Sequence, residues 1–444
     1  MRQKIHIFLF ILWFTAGNAL EAQTTWKLNQ CISFAIENNT GLKQMEILEK
    51  LVSEDLSQSK RNLLPGVSAS TRAGLSFGRS VDPNTNDIVN NKFFNNSYDI
   101  GTSVTLFNGF RMQNQIQYVK FRKKSSELNR LNTTDDLAFA VMNSYFDVLY
   151  YKGLYKIAQE QVETSKINLR KIEKQLELGM TSKPDLLDMR ANFESEELRR
   201  IQVENSLKTA LLQLKQRMNL TGESEFNLDD ELSPLVAVGN PEQQSLFLAY
   251  TQWSPYYQSF VAQLNASNRA LAISRSQLYP TLSANGSVGT GFYETTRDES
   301  GKTLGFGKQF NNNLSQYLGA SLYIPVFSRW AVRSDIKKAR LEVEQATTTL
   351  EQEKQKMYFE MANNLNELEA LEKEYNQFQK QQDADQLAFQ ASEKKFEQGL
   401  VNVVDFYIAK NRLANSTSQV LRVRLQLEIK KKILDFYSGK RFWE

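Results

Sequence analysis

The chain repeats itself. Gly179 stands 220 residues before Gly399, Asp185 stands 220 before Asp405, and "LFNGF" (Leu106 to Phe110) stands 220 before "VFSRW" (Val326 to Trp330). Upstream the spacing is about 215, matching "NLLPGVSAS" (from Asn62) with "SQLYPTLSA" (from Ser276) and "ENNTGLKQ" (from Glu37) with "TQWSPYYQ" (from Thr251). Self-similarity constrains the fold more than any single motif, because both copies must build the same unit. Each half reads helix, two strands, very long helix, break, helix. The predicted first repeat covers 23–220, with strands at 64–78 and 96–108 and a break at 179–184. A linker follows at 221–240. The second repeat covers 241–444, with strands at 280–293 and 314–328 and a break at 399–405.

The helical tracts carry heptad spacing. Val141, Tyr145, Val148, Lys152 and Tyr155 step by four and three, and Met361, Leu365, Leu368, Glu372 and Tyr375 do the same 220 residues later. Ala158, Val162, Ser165, Leu169, Ile172 and Leu176 continue the first seam. Such a stripe buries against neighbouring helices in a left-handed coiled coil. Small and polar residues interrupt it, which suits helices in a curved wall better than a dry zipper. The tract from Gly109 to Gly179 would rise roughly 100 Å as one helix, far more than a compact domain needs.

The strand segments alternate. In "VSASTRAGLSFG", Val67, Ala69, Ala73, Leu75 and Phe77 oppose Ser68, Ser70, Arg72 and Ser76. "YDIGTSVTLF" sets Ile100, Val104 and Leu106 against Asp99, Ser103 and Thr105, and "TLSANGSVGTGF" sets Leu282, Ala284, Val288 and Phe292 against Ser283, Asn285 and Ser287. The fourth segment is apolar on Leu314, Leu318, Ala320, Leu322 and Ile324. One apolar and one small polar face fits a half-buried soluble sheet or a membrane barrel with water inside. Strands of about 12 to 15 residues exceed the ~10 needed to cross hydrocarbon. Long polar loops follow the first and third strands, from Arg79 and from Glu294, and favour the barrel. Four strands cannot close a barrel, and lipid tolerates no open edge. Copies must therefore complete it; two would also close a small barrel, though with little lumen for the polar faces, whereas three would give 12 strands and a water-filled one, and closure alone does not fix the count.

The ends and the composition limit the chemistry. Arg2 and Lys4, the apolar run Ile5 to Phe14, and the small residues around Ala19 and Ala22 predict a signal peptide over 1–22. With it would go His6, the one histidine, leaving Cys31 as the one cysteine. A chain so equipped lacks the usual zinc, Cys/His and Ser/His machinery. No cofactor, metal site or catalytic residue is predicted. Charges of 54 basic and 50 acidic residues nearly cancel at +4, which argues against a nucleic-acid partner. Mean hydropathy is −0.47, so this is no bundle of membrane helices.

Together the junctions "LFNGF" and "IPVFSRW", the turns "NLLPG" and "QLYPT", and the breaks "LGMTSKPDLL" and "QGLVNVVDFY" resemble TolC-type outer-membrane efflux proteins. The resemblance spans about Trp26 to Tyr437 and rests on order and repetition. It implies a mixed α+β membrane protein in which a coiled-coil helical barrel continues a transmembrane β-barrel of four strands per chain. It implies a homotrimer in the outer membrane of a Gram-negative bacterium, extending into the periplasm. Its partners would be outer-membrane lipid, a periplasmic adaptor and an inner-membrane transporter of RND, ABC or MFS type. The channel would be a passive conduit for small molecules or proteins. The strand-to-helix junctions would be Phe107, Gly109, Pro325 and Phe327.

The breaks become the periplasmic tips. Gly179 and Gly399 would end one helix, and Pro184 suits the first turn of the next. Asp185, Asp188 and Asp405 can serve the helix dipole or line an aperture that a trimer triples. In the family an acidic ring lies near the position of Asp405. Here the residue three further on is Ile408, and the tyrosine and arginine that tie some tips shut are replaced by Phe396 and Val401. Adaptor contacts are expected around Leu178 to Ser182 and Gln398 to Asn402. The competing readings are a periplasmic coiled-coil adaptor without a barrel, a nutrient porin, and a secreted carboxylate enzyme.

Overall fold

The computed structural model describes residues 25–81, 86–90, 92–222, 226–230 and 242–444. The expected signal peptide and most of the expected linker lie outside the described residues. The elements are α1 (Leu28–Asn38), α2 (Thr40–Arg61), β1 (Gly66–Ser76), β2 (Arg79–Val81), β3 (Ile88–Asn90), β4 (Phe93–Phe107), α3 (Arg111–Glu177) and α4 (Lys183–Met218). The second half supplies α5 (Gln243–Trp253), α6 (Pro255–Ser276), β5 (Thr281–Tyr293), α7 (Phe306–Asn312), β6 (Ser315–Tyr323), α8 (Ala331–Glu397) and α9 (Val403–Tyr437). The helices α3 and α8 are each 67 residues long. Contacts divide the chain into two units, each assembled from both halves. One joins the residues up to Gln44 with Arg130–Ser254 and Gln355–Glu444; the other joins Met45–Asn129 with Pro255–Lys354.

The second unit holds an antiparallel sheet in the order β1-β4-β5-β6. Its register aligns Ala69 with Ile100, Ile100 with Val288, and Leu282 with Leu322, so the apolar residues of all four strands share one face. Away from α7 that face is bare: Val67 is 73% and Leu318 88% exposed. Serines, Asn285 and Asp99 occupy the other face. Among the described residues β1 and β6 have no second neighbour, so both edges are open. Strand β6 stops at Tyr323, short of the expected 328, because Pro325 offers no N–H to a ladder. The stretches read as loops are not structureless. The first contains the β2–β3 hairpin and the second contains α7.

Both strand-to-helix junctions turn on two consecutive residues at positive φ. These are Gly109 (+65°) and Phe110 (+61°) before α3, and Arg329 (+50°) and Trp330 (+66°) before α8. The Phe107 ring meets Phe110 edge-on at 5.6 Å. Pro325 and Phe327 lie in the irregular stretch between β6 and α8. At Gly109 an added Cβ would sit 2.7 Å from Tyr279 Cβ and 2.8 Å from the Ser276 carbonyl.

The first unit is helical and carries the main core. Cys31, Ile32 and Ala35 of α1 meet Val141, Met142 and Val148 of α3 and Leu214 and Met218 of α4. Burial pushes the Cys31 thiol up to about 12, so it is an inert packed side chain. The predicted seam is visible here: Val141, Tyr145, Val148, Ala158, Val162, Ser165 and Ile172 are buried. Lys152 leaves the seam to pair with Asp230 at 2.9 Å. Among the described residues no helix is long and apolar enough to cross a membrane.

Asp135 is a buried acid in this core, 3.3 Å from Arg441. Burial raises its carboxyl to about 6 despite the opposing pull of Arg441. Its ordinary value is 3.8, so between these values the folded chain binds more protons than the unfolded one and stability falls as pH rises. We expect Asp135→Asn to raise the thermal midpoint at about pH 8, where the acid is charged, with the gain shrinking at about pH 5. A gain equal at both pH values would refute the titration.

Candidate functional site

The two helix breaks are built alike. Gly179 adopts φ +71° and Gly399 φ +73°. The Met180 N–H donates to the Gln175 carbonyl (2.8 Å) and Gly179 N–H to Leu176 (3.0 Å). In the second half Leu400 donates to Lys395 (2.8 Å) and Gly399 to Phe396 (3.0 Å). Both are Schellman ends, in which a left-handed residue lets the chain recover two orphan carbonyls. An extended residue then caps the next helix: Ser182 before α4 and Asn402 before α9. Pro184 lies in the first turn of α4, where its missing N–H costs nothing.

The two matched aspartates differ. Asp185 closes a capping box: its carboxylate accepts from the Ser182 N–H (3.3 Å) and from the hydroxyls of Ser182 and Thr181. The Ser182 hydroxyl holds this carboxyl below its ordinary value. Asp405 gives only its backbone N–H, to Asn402 Oδ1 at 2.8 Å. Its carboxylate is exposed, and no hydrogen bond or ion pair reaches it among the described residues. Asp188 is exposed on the next turn, its carbonyl accepting from Asn192. A cleft between the turns is bordered by Asp185, Met180, Leu400 and Val401; Asp405 and Asp188 are not on its walls.

Sequence reasoning left open what holds the tip together. The Phe396 ring stacks on Phe406 with centroids 4.7 Å apart, and Ile172, Met189, Val403 and Tyr407 complete an apolar plug. Lys171 of α3 pairs with Glu397 of α8 at 2.9 Å. Both partners are half-exposed, so the pair contributes about 0.2–1 kcal/mol at most. The plug outweighs it. Around the turns, Leu178, Met180, Leu400 and Val404 stay exposed.

Behind the plug lies a network that the sequence reading missed. The Lys410 ammonium is 1% exposed and donates to Gln161 O (2.7 Å), Ser165 Oγ (2.6 Å) and the Glu196 carboxylate (3.0 Å). With its oxygen thus occupied, the Ser165 hydroxyl can donate to Tyr407 (2.9 Å), whose own hydroxyl reaches Met189 Sδ. Burial lowers the affinity of Lys410 for its proton and Glu196 restores part of it. The signal was present: Val403, Phe406 and Lys410 step by three and four, placing a lysine on the seam.

The model of the family described as "Outer membrane efflux protein" matches this chain twice, over residues 31–220 and 252–440. The chain belongs to the outer membrane efflux protein family. Its location is therefore the outer membrane. A pyoverdine export outer membrane protein of Pseudomonas aeruginosa is 22% identical over 303 residues, covering 68% of this chain. The match spans only 61% of that protein's length. Among solved structures, the CusC channel superposes with a TM-score of 0.80 at 17% identity, covering 94% of this chain and 92% of that one. The CmeC outer membrane channel of Campylobacter jejuni also gives 0.80, at 16% identity, over 94% and 86%. At such identities these likenesses concern the fold, which is that of outer-membrane efflux channels with a β-sheet and long helices.

Proposed function

We propose that this efflux protein works as a trimer, forming a passive channel through which cargo leaves the cell across the outer membrane. The observation that carries this reading is the sheet of four strands with both edges open and its apolar face bare over most of its length. Open edges in lipid must be paired, and three copies closing on one another give about 12 strands and an aqueous lumen. The small polar face would line it. A periplasmic adaptor would meet the helix turns, where Leu178, Met180 and Leu400 are exposed, and an inner-membrane transporter would supply the energy. The test is the mass of the detergent-solubilised protein together with its resistance to carbonate extraction from membranes. A monomer released by carbonate would sink the proposal.

Within that channel Asp405 is the candidate aperture residue. Its unengaged carboxylate supports this role, while Asp185 is committed to its cap. Three carboxylates in a ring would favour cations. We expect Asp405→Asn in planar bilayers to reduce cation selectivity and block by multivalent cations, and Asp185→Asn to change neither. Unaltered reversal potentials and block for Asp405→Asn would remove it from the pore.

A further inference from the structure

The helix α7 sits on the wrong side of the sheet for a loop that merely overhangs a lumen. Its Phe306 ring lies 5.9 Å from Phe292 and 6.4 Å from Tyr98, and Phe310 lies 5.9 Å from Tyr98. Tyr98 and Phe292 alternate in phase with Ile100 and Val288. The helix therefore lies on the apolar face, continuing it.

The anchoring is specific. The Glu294 N–H donates to the Phe94 carbonyl, so even-numbered residues at this end of β5 bond toward β4 and odd ones toward β6. But β6 begins only at Ser315, opposite Gly289. Beyond it the outward groups of Gly291 and Tyr293 would be orphaned. Asn313 Nδ2 donates to the Gly291 carbonyl (2.7 Å), and Gln309, fully buried, both accepts from the Tyr293 N–H (3.0 Å) and donates to its carbonyl (2.9 Å). The Thr290 hydroxyl donates to the Phe310 carbonyl at 2.6 Å. Side chains thus replace the missing strand. Water would satisfy these groups at no cost in an exposed loop; satisfying them internally is what a nonpolar surrounding demands.

The covering helix is itself not covered. Phe306 and Phe310, four residues apart and so on one side of the helix, remain 46% and 39% exposed. Lys308 falls about 200° from Phe306 at 100° per residue. We propose that α7 is an interfacial anchor, with Phe306 and Phe310 entering the bilayer at the outer end of the sheet and Lys308 held at the headgroup level. Continuity with the bare apolar face selects a lipid surface as the occupant, and burial of about 5–10 Å is usual for such helices. The inference rests on the outer-membrane channel reading.

Nitroxide labels on the full chain in liposomes test it, in a Cys31→Ala background. Collisions with dissolved oxygen are compared with those of a water-soluble nickel chelate for Phe310→Cys, Lys308→Cys and Leu318→Cys. The expected result is oxygen dominance at 318, a smaller shift toward oxygen at 310, and nickel dominance at 308. Phe306→Cys gives a second reading should the label at 310 disturb the fold. Nickel dominance at both 306 and 310, with 318 still oxygen-dominated, overturns the anchor and leaves the channel intact. Shielding of 306 and 310 from both reagents also overturns it, in favour of a protein partner. Nickel dominance at 318 overturns the channel reading itself.

Discussion

Replacing Glu196 with alanine is expected to destabilise the helical unit by about 3–5 kcal/mol, the usual cost of leaving a buried charge without its partner. Lys410 cannot reach water by snorkelling, because its ammonium is 1% exposed and enclosed by α3, α4 and Tyr407. Only Ser165 and the Gln161 carbonyl would remain to solvate it. Glu196→Gln keeps a hydrogen-bond acceptor and should fall between. The double replacement Lys410→Met with Glu196→Met removes both charges at similar volume and should be neutral or stabilising by about 1–4 kcal/mol. Denaturant midpoints in detergent measure all four proteins. A loss below about 1 kcal/mol for Glu196→Ala would mean that water reaches Lys410 and that the network does not hold the helices. The network would then be a poor explanation of how the region behind the turns keeps its register.

The second large effect is expected at the first junction. Gly109→Ala places a Cβ 2.7 Å from Tyr279 Cβ and 2.8 Å from the Ser276 carbonyl, neither of which is the movable end of a side chain. Left-handed backbone adds about 1–2 kcal/mol for a residue other than glycine. Overpacking typically adds about 1–3. We expect the sum, about 2–5 kcal/mol, as a lowered midpoint for refolding into vesicles. Gly179→Ala is the control: φ is again positive, yet nothing lies within 4 Å of the added Cβ. It should cost only the backbone contribution of about 1–2 kcal/mol. Equal losses at both positions would show that conformation alone, and not the close approach to Tyr279, makes Gly109 necessary. Arg329 already argues otherwise, since it occupies the matching position of the second junction at φ +50°.

The repeat, the two very long helices and the alternation of the strands could be read from residues because each is a local periodicity. So could the helix ends: a glycine after the last turn, with proline or aspartate in the first turn of the next helix, is a pattern that local backbone conformation and the helix dipole explain. The strand β6 ended early for an equally local reason, the missing N–H of Pro325. Other features had no local signature. Asp185 and Asp405 occupy matching positions in sequence, yet one carboxylate is engaged by Ser182 and Thr181 and the other is not. Phe396 looked like the loss of a tie and proved to be part of a stack on Phe406. Helix α7 lay inside a stretch of polar residues whose two phenylalanines, four apart, were too short a pattern to announce a helix.

The sequence by itself thus determined the family, the duplicated plan and which face of each strand is apolar. These follow from periods of two, of three and a half, and of about 220 residues, which survive without knowledge of any neighbour. Only the tertiary structure decided what meets across the chain: Glu196 with Lys410, Tyr279 with Gly109, Phe406 with Phe396, and Gln309 with the unpaired end of β5. Those contacts join residues as many as 214 positions apart, and the free energy that selects them comes from desolvation and close packing at the point of contact. No period along the chain encodes it.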